Sequence, residues 1–94
     1  MSYMLKFHAD AMREWKKLDW TIQEQFLSVL GRRLENPRVQ SAKLREAPDC
    51  YKIKLRAAGY RLVYQVVDAE VVILVLAVGK RDGEIAYRKM RERL

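Results

Sequence analysis

The stretch from Tyr51 to Arg56 alternates strictly between apolar and basic side chains, so it is the part of this sequence best suited to acting on an anion. Successive side chains of a strand point to opposite faces, so the pattern predicts a β-strand with one buried and one basic face. Like charges in a row are unfavourable unless an anion neutralises them, and the commonest large polyanion in a cytoplasm is nucleic acid. The competing interpretation is a solvated strand face without a ligand.

Whether more basic side chains join this face depends on the turn that follows the strand. If residues 58–59 form a two-residue hairpin loop, Arg56 lies opposite Arg61. Lys54 then lies opposite Val63. The four basic residues that share one face in this arrangement are Lys52, Lys54, Arg56 and Arg61. A loop one residue longer would put Arg61 on the opposite face.

The positive charge of the chain is concentrated in two regions. Among the 94 residues, 19 Lys and Arg oppose 12 Asp and Glu, which gives a net charge of +7. Residues 38–64 carry a net charge of +5 and residues 80–94 a net charge of +3, on either side of an apolar stretch. With 50% hydrophobic residues, the chain is expected to fold as a single domain over residues 1–94.

The composition argues against several classes of protein. The longest apolar run, Val71 to Val78, is far shorter than the roughly 20 residues of a membrane helix, and the N-terminus has no signal-peptide pattern. Cys50 is the sole cysteine and His8 the sole histidine, which excludes an intrachain disulfide and a zinc cage. We therefore expect a cytoplasmic protein with no metal, no cofactor and no membrane contact.

The first third of the chain is predicted to be a strand followed by a helical hairpin. Met4–Phe7 alternates as a short strand, and Asp10 is the expected N-cap of a first helix. Thr21 and Glu24 have the spacing of a capping box for a second helix, which ends before Pro37. The apolar stripe of this second helix is expected to comprise Ile22, Phe26, Leu27, Leu30 and Leu34.

The remainder is predicted to form an antiparallel meander and a last helix. The three strands are expected at residues 51–56, 60–67 and 71–78. Residues 84–94 are expected to form a helix with Tyr87, Met90 and Leu94 on one side. The predicted fold class is α+β, in which the N-terminal strand and the helical hairpin pack on an antiparallel β-sheet.

Three segments of the sequence closely resemble the RelE family of bacterial toxins. They are Pro48–Arg56, Gly59–Val66 and Val78–Arg81. The resemblance covers nearly the whole chain, including Glu14–Leu18 and a terminal helix that carries Tyr87. It implies a small RelE/ParE-like fold and a ribosome-dependent endoribonuclease that cuts mRNA in the ribosomal A site. It also implies that a cognate RelB-like antitoxin holds the toxin inactive.

The resemblance further implies which residues act on RNA. Catalytic roles are expected at Lys52, Lys54, Arg61, Arg81 and Tyr87. Further RNA contacts are expected at Lys43, Arg45, Arg56 and Lys80. The chain departs from the family immediately after Arg81, where Asp82 and Gly83 stand and other members often carry a further arginine. The RNA contact of that arginine is therefore not carried over to this chain.

RNA cleavage without a metal uses the 2′-OH as the nucleophile and needs a base, an acid and positive charge around the phosphorane. A single histidine excludes a two-histidine mechanism. Lys54 is the preferred base because its basic neighbours should lower its pKa, and Tyr87 is either a rival base or a stacking platform. Lys52 and Arg61 suit the charge of the transition state, and Arg81 suits the leaving group. Such a site should depend on the ribosome to position its substrate.

Two other functions stay open on sequence grounds. One is a ParE-like toxin that inhibits gyrase, and the other is a non-catalytic module that binds RNA or the ribosome. The expected partners of the nuclease are the ribosome, the mRNA and the antitoxin, in a hetero-oligomer that contacts operator DNA only through the antitoxin. An amphipathic antitoxin helix is expected to lie on the sheet or to displace a weakly anchored terminal helix.

Overall fold

The computed structural model describes residues 2–80 and 85–94, which form a four-stranded sheet with helices on both faces. The elements are β1 (Met4–Phe7), α1 (Ala9–Lys16), α2 (Trp20–Glu35), β2 (Cys50–Leu55), β3 (Tyr60–Val67), β4 (Val72–Lys80) and α3 (Ile85–Arg93). The strand order is β1-β4-β3-β2, with β1 parallel to β4 and the other neighbours antiparallel. The predicted α+β fold is confirmed. The sheet is mixed and not purely antiparallel as predicted, because β1 runs parallel to β4.

The two faces of the sheet carry separate hydrophobic clusters. On one face, α1 and α2 cover the strands through buried residues such as Phe26 and Leu30. On the other face, α3 packs its buried Ala86 and Met90 against residues of β3 and β4. Because side chains alternate along a strand, the basic residues of β2 lie on the α3 side of the sheet.

The register between β2 and β3 differs from the predicted one, but the basic face survives. Lys54 lies opposite Arg61, so the strands are joined by the four residues 56–59, and the predicted pair of Arg56 with Arg61 is wrong. The longer loop ends at Gly59, which has the positive φ of 72° that glycine adopts without strain. The error is two residues of register, so every strand side chain keeps its predicted face. Arg56 lies in the loop.

The helical hairpin begins its helices at residues other than the predicted ones. The N-cap of α1 is His8, whose Nδ1 accepts a hydrogen bond from the backbone N–H of Asp10 at 3.1 Å. Asp10 is therefore a residue of the first turn. The N-cap of α2 is Asp19, and the hydroxyl of Thr21 donates to its carboxylate. The predicted capping box of Thr21 and Glu24 is wrong because Asp19 starts the helix two residues before Thr21.

Two residues predicted to be apolar contacts are largely exposed. Leu27 is 47% exposed because it lies about 100° around α2 from the buried Phe26. Leu94 is 52% exposed because α3 ends one residue before it. On α3 the predicted Met90 is buried, and so is Ala86, which lies four residues before it and therefore shares its face.

No helix within residues 2–80 and 85–94 is long and apolar enough to cross a membrane. The same ranges contain no group of three or more His, Cys, Asp or Glu side chains that could hold a metal ion. Cys50 is fully buried, and burial together with the neighbouring charge of Asp49 raises the pKa of its thiol to about 11. The thiol of Cys50 is therefore protonated and unreactive near neutral pH.

An ionic network fixes α3 to the rest of the fold, so the predicted weak anchoring of this helix is wrong. Glu14 of α1 accepts two hydrogen bonds from Arg93, at 2.9 and 2.7 Å. It also forms an ion pair with Lys89 at 2.8 Å. The backbone N–H of Val78 donates to the same carboxylate at 3.1 Å, and Arg93 also donates to the carbonyl of Leu76 at 2.8 Å. The side chains of Glu14 and Arg93 are only 16% and 12% exposed.

We expect the Glu14→Gln variant to be less stable by about 1–3 kcal/mol, because it removes the carboxylate that accepts two hydrogen bonds from a mostly buried guanidinium. Burial alone would raise the pKa of Glu14, but hydrogen bonds from Arg93, Lys89 and Val78 lower it to about 2. A carboxyl whose pKa in the fold is below its ordinary value of 4.5 stabilises the protein above that pH. This contribution is lost as the pH falls toward 2.

Thermal unfolding between pH 7 and pH 2.5 measures both effects. The wild-type melting temperature should fall more steeply below pH 4.5 than that of Glu14→Gln, whereas the exposed control Glu24→Gln should follow the wild type. Parallel curves for the wild type and Glu14→Gln would contradict this account of the network.

Candidate active site

A surface depression of about 250 Å³ on the α3 side of the sheet brings together four of the five predicted catalytic residues. Its lining comprises Leu44, Glu46, Lys52, Lys54, Arg61, Tyr87 and Arg91. Strand β2 supplies Lys52 and Lys54, strand β3 supplies Arg61, and helix α3 supplies Tyr87. Arg81 lies outside the described residues, so its place beside this depression stays a prediction.

Arg61 and Tyr87 are in direct contact across the depression. Nη1 of Arg61 donates to the phenol oxygen of Tyr87 at 3.3 Å, and its guanidinium carbon lies 5.6 Å from the centre of the ring. A cation this close to an aromatic face is attracted by the quadrupole of the ring. The contact therefore ties the side chain of Tyr87 on α3 to the basic face of the strands.

Lys54 is the residue that three depressions with basic linings share. A second depression of about 250 Å³ is lined by Lys54, Leu55, Arg56, Gly59, Tyr60 and Arg61. A third, of about 340 Å³, is lined by Arg33, Ser41, Ala42, Lys52, Lys54 and Arg56. Because Lys54 contributes to all three depressions, it is the residue at which they meet.

The ammonium group of Lys54 is electrostatically disfavoured. The positive charge of Lys52 lowers the pKa of Lys54 below its ordinary value of 10.5, and slight desolvation and the charges of Arg61 and Arg56 lower it further. The predicted direction of this shift is confirmed. A lower pKa increases the fraction of neutral amine, which is the form that can accept a proton. The role of Lys54 as a base stays a prediction.

The four predicted RNA-binding residues are placed differently from one another. Arg56, in the β2–β3 loop, lines two of the depressions. Lys43, Arg45 and Lys80 are exposed, but none of the three depressions is lined by them. Lys43 pairs with Tyr51 through the backbone beside the edge strand β2. Of the four, Arg56 is therefore the one that shares a depression with Lys54.

Arg33 is a site residue that the sequence analysis missed. It lies on α2, and its Nη1 donates to the phenol oxygen of Tyr64 at 2.9 Å and to the carbonyl of Lys52 at 3.3 Å. Its guanidinium carbon also lies 5.8 Å from the ring centre of Tyr64. A basic residue three positions after the buried Leu30 was the available signal, because that spacing places it near the sheet-facing side of the helix.

Glu46 and Arg91 were missed as well. Arg91 follows Tyr87 by four residues on α3, and this spacing was sufficient to predict that the two side chains share a face. Glu46 lies in the irregular segment before β2, where no periodicity predicts the direction of a side chain. Among the described residues that line the first depression, Glu46 contributes the one carboxylate.

Comparisons with known proteins identify the family of this chain. The family model described as the ParE toxin of type II toxin-antitoxin system, parDE, matches residues 5–85. The mRNA interferase toxin RelE of Escherichia coli strain K12 is 50% identical over 94 residues, which cover 100% of this chain and 99% of the relative.

Solved structures of RelE are similar over most of the chain. An arginine-to-alanine double mutant of the E. coli toxin RelE in the free state matches with a TM-score of 0.93 and 49% identity, covering 100% of this chain and 99% of that one. A chain of the intact E. coli RelBE toxin-antitoxin complex matches with a TM-score of 0.83 and 53% identity, covering 86% of this chain and 99% of that one. The resemblance inferred from the sequence is confirmed. This chain therefore belongs to the RelE family, within the RelE/ParE group of toxins from type II toxin-antitoxin systems.

Proposed function

We propose that this chain is a ribosome-dependent endoribonuclease toxin, which cuts mRNA in the ribosomal A site and thereby inhibits translation. The observation that carries the proposal is the meeting of Lys52, Lys54, Arg61 and Tyr87 in one depression whose charges are mostly positive. The full-length likeness to a relative named mRNA interferase supports the same activity. Inhibition of gyrase is the second candidate, because the matching family model carries the ParE name.

The proposed reaction is attack of an RNA 2′-oxygen on the adjacent phosphorus. The neutral amine of Lys54 takes the 2′ proton as the new O–P bond forms and the bond from phosphorus to the 5′ oxygen breaks. Lys52 and Arg61 stabilise the negative charge of the phosphorane. Arg81 stabilises the leaving 5′ oxygen, which takes a proton from solvent. Tyr87 stacks on a base beside the cut and holds it out of line with its neighbours.

The ribosome supplies the positioning of the RNA that this site lacks. The depression is shallow and open, and the charge of Lys52 lowers the pKa of Lys54 below its ordinary value. Positioning of the reacting groups by a second macromolecule contributes about 7–11 kcal/mol when the geometry is imposed from outside. Free RNA is therefore cut slowly or not at all.

A RelB-like antitoxin neutralises the toxin in a hetero-oligomer, and contact with operator DNA is made through that antitoxin. The intact complex of the E. coli relatives supports this assembly. We place the protein in the cytoplasm, where translating ribosomes are. Neutralisation by displacement of α3 would remove Tyr87 from Arg61, and it would have to break the network of Glu14 first.

Primer extension on an mRNA tests the proposal, with purified protein and with or without programmed ribosomes. We expect cuts inside the A-site codon only when ribosomes are present, no cuts with Arg81→Ala, and unchanged cuts with the exposed control Lys16→Ala. Absence of cuts under every condition, in a protein that still arrests growth and relaxes or linearises plasmid DNA in cells, would replace the proposal with the gyrase-directed function.

A further inference from the structure

An ion pair spans the depression that holds the predicted catalytic residues. Nη1 of Arg91 donates to Oε2 of Glu46 at 3.2 Å. Arg91 lies on α3 one turn after Tyr87, and Glu46 lies in the segment before β2. The side chains are 48% and 63% exposed, and ion pairs at such exposure contribute little to stability. The fold therefore does not depend on this pair, and its position over the basic residues needs another explanation.

The carboxylate of Glu46 has the wrong charge for a surface that binds RNA. Within the described part of the chain, the charged residues that share its depression are Lys52, Lys54, Arg61 and Arg91, all of them cations. A carboxylate among them repels an incoming phosphate and occupies one of the groups that would bind it. Carboxylates and phosphates accept hydrogen bonds from a guanidinium in the same geometry, so either of them satisfies Arg91. The carboxylate of Glu46 and an RNA phosphate can therefore satisfy the same guanidinium.

The position of Arg91 also fits a strand of RNA that crosses the surface. Lys54 is common to three depressions, and Arg56 lines the two that do not include Arg91, one of which also includes Arg33. An RNA with its reacting phosphate at Lys54 therefore has cations in both directions along its backbone. On the side of α3 the guanidinium of Arg91 is one helical turn from Tyr87, on which a base stacks in the proposed function.

We propose that Arg91 is an additional substrate-binding residue, which takes an RNA phosphate next to the one that reacts, and that Glu46 competes with RNA for it. The inference rests on the proposed function of the same site. When Arg91 leaves Glu46 and binds the phosphate, one ionic contact breaks and another forms. No covalent bond changes. Glu46 thus weakens binding of the substrate, and Arg91 strengthens it.

Two single variants with opposite effects test this inference. Glu46→Gln should lower the KM for programmed ribosomes and Arg91→Gln should raise it, each by about three- to tenfold, with kcat nearly unchanged. In the double variant the effect of Glu46→Gln should become smaller than in the wild-type background, because the residue acts mainly through Arg91. Tighter binding by Glu46→Gln cannot result from misfolding, which keeps the test valid if Arg91→Gln is unstable.

The salt dependence of RNA binding separates a phosphate contact from a structural role. With a single-stranded oligonucleotide, the slope of log K against log salt should become shallower by about 0.7 in Arg91→Gln, as for loss of one phosphate contact. The matched controls are Arg88→Gln, which removes an exposed charge from the same helix, and Glu24→Gln, which removes an exposed carboxylate from α2. Both should leave the KM and the slope nearly unchanged.

The failure of this inference is distinguishable from the failure of the proposed function. If the wild type cuts mRNA on ribosomes but both variants keep its KM and its salt slope, Arg91 does not bind the substrate. If the wild type cuts no RNA, the proposed function fails, and the oligonucleotide slopes still decide whether Arg91 contacts a phosphate. If Arg88→Gln changes the KM as much as Arg91→Gln does, the effect results from the overall charge of the helix and not from a specific contact. That result would overturn the inference.

Discussion

Replacement of Lys54 by alanine is expected to lower kcat for ribosome-dependent mRNA cleavage by about 10²- to 10⁴-fold, the usual contribution of a positioned general base. Lys54 lines all three depressions of the basic surface, and its pKa is lowered mainly by the charge of Lys52. Single-turnover primer extension with saturating toxin measures the chemical step without the effect of binding. The exposed control Lys16→Ala should cut at the wild-type rate.

Chemical restoration of the amine distinguishes the loss of Lys54 from damage to the fold. A Lys54→Cys variant treated with bromoethylamine acquires a side chain of similar length that ends in an amine. The native Cys50 is fully buried, and burial with the charge of Asp49 raises its pKa to about 11, so it should react slowly. Aminoethylation should recover most of the lost rate. Failure to recover it in a folded protein would argue against a role for the amine.

The pH dependence tests whether that amine accepts a proton. A base must be neutral to act, so the rate should rise with pH along a limb whose midpoint lies below the ordinary lysine pKa of 10.5. Lys52→Gln removes the largest cause of the lowered pKa and should move that limb to higher pH. If the limb does not move in Lys52→Gln, or if the rate does not depend on pH, Lys54 stabilises charge and does not accept the proton.

The basic face was predictable from the sequence because strand parity tolerates certain errors. The predicted loop after β2 was two residues too short, yet Lys54 and Arg61 share a face as expected, because a shift of two residues preserves the alternation. The helix starts were less predictable, since neighbouring polar residues compete to cap a helix and Asp19 prevailed over Thr21. Local sequence patterns therefore predict the helices and strands correctly, but they predict the residues at which these elements begin and end less accurately.

What the sequence could not predict depends on contacts between distant segments. The parallel pairing of β1 with β4 joins Met4 to Val72, and no local pattern specifies which strand lies beside β1. Glu46 reaches the site from a segment without periodicity, so its pairing with Arg91 emerges only in the folded chain. The anchoring of α3 by Glu14 is of the same kind, because its partners lie more than 60 residues away in sequence.

The contact between Arg61 and Tyr87 is expected to yield the second large effect. Arg61→Ala should lower kcat by about 10²- to 10³-fold, because it removes the cation opposite Lys54 and releases the ring of Tyr87. Arg61→Lys should retain part of the activity, since an ammonium group keeps the charge but lacks the planar fork that lies over the ring and donates to its hydroxyl. The loop variant Arg56→Ala should show a smaller loss than either.

Variants of Tyr87 distinguish its two possible roles, which are a stacking platform and the general base. As a stacking platform it should tolerate Tyr87→Phe with little loss, because phenylalanine keeps the aromatic face, whereas Tyr87→Ala should lose about 10- to 100-fold. As the base it would lose as much activity in Tyr87→Phe as in Tyr87→Ala. Because Arg61 and Tyr87 touch, the double alanine variant should lose less than the product of the single losses. Fully multiplicative losses would mean that the two side chains act independently, and the contact would then have no part in holding the ring over the cut site.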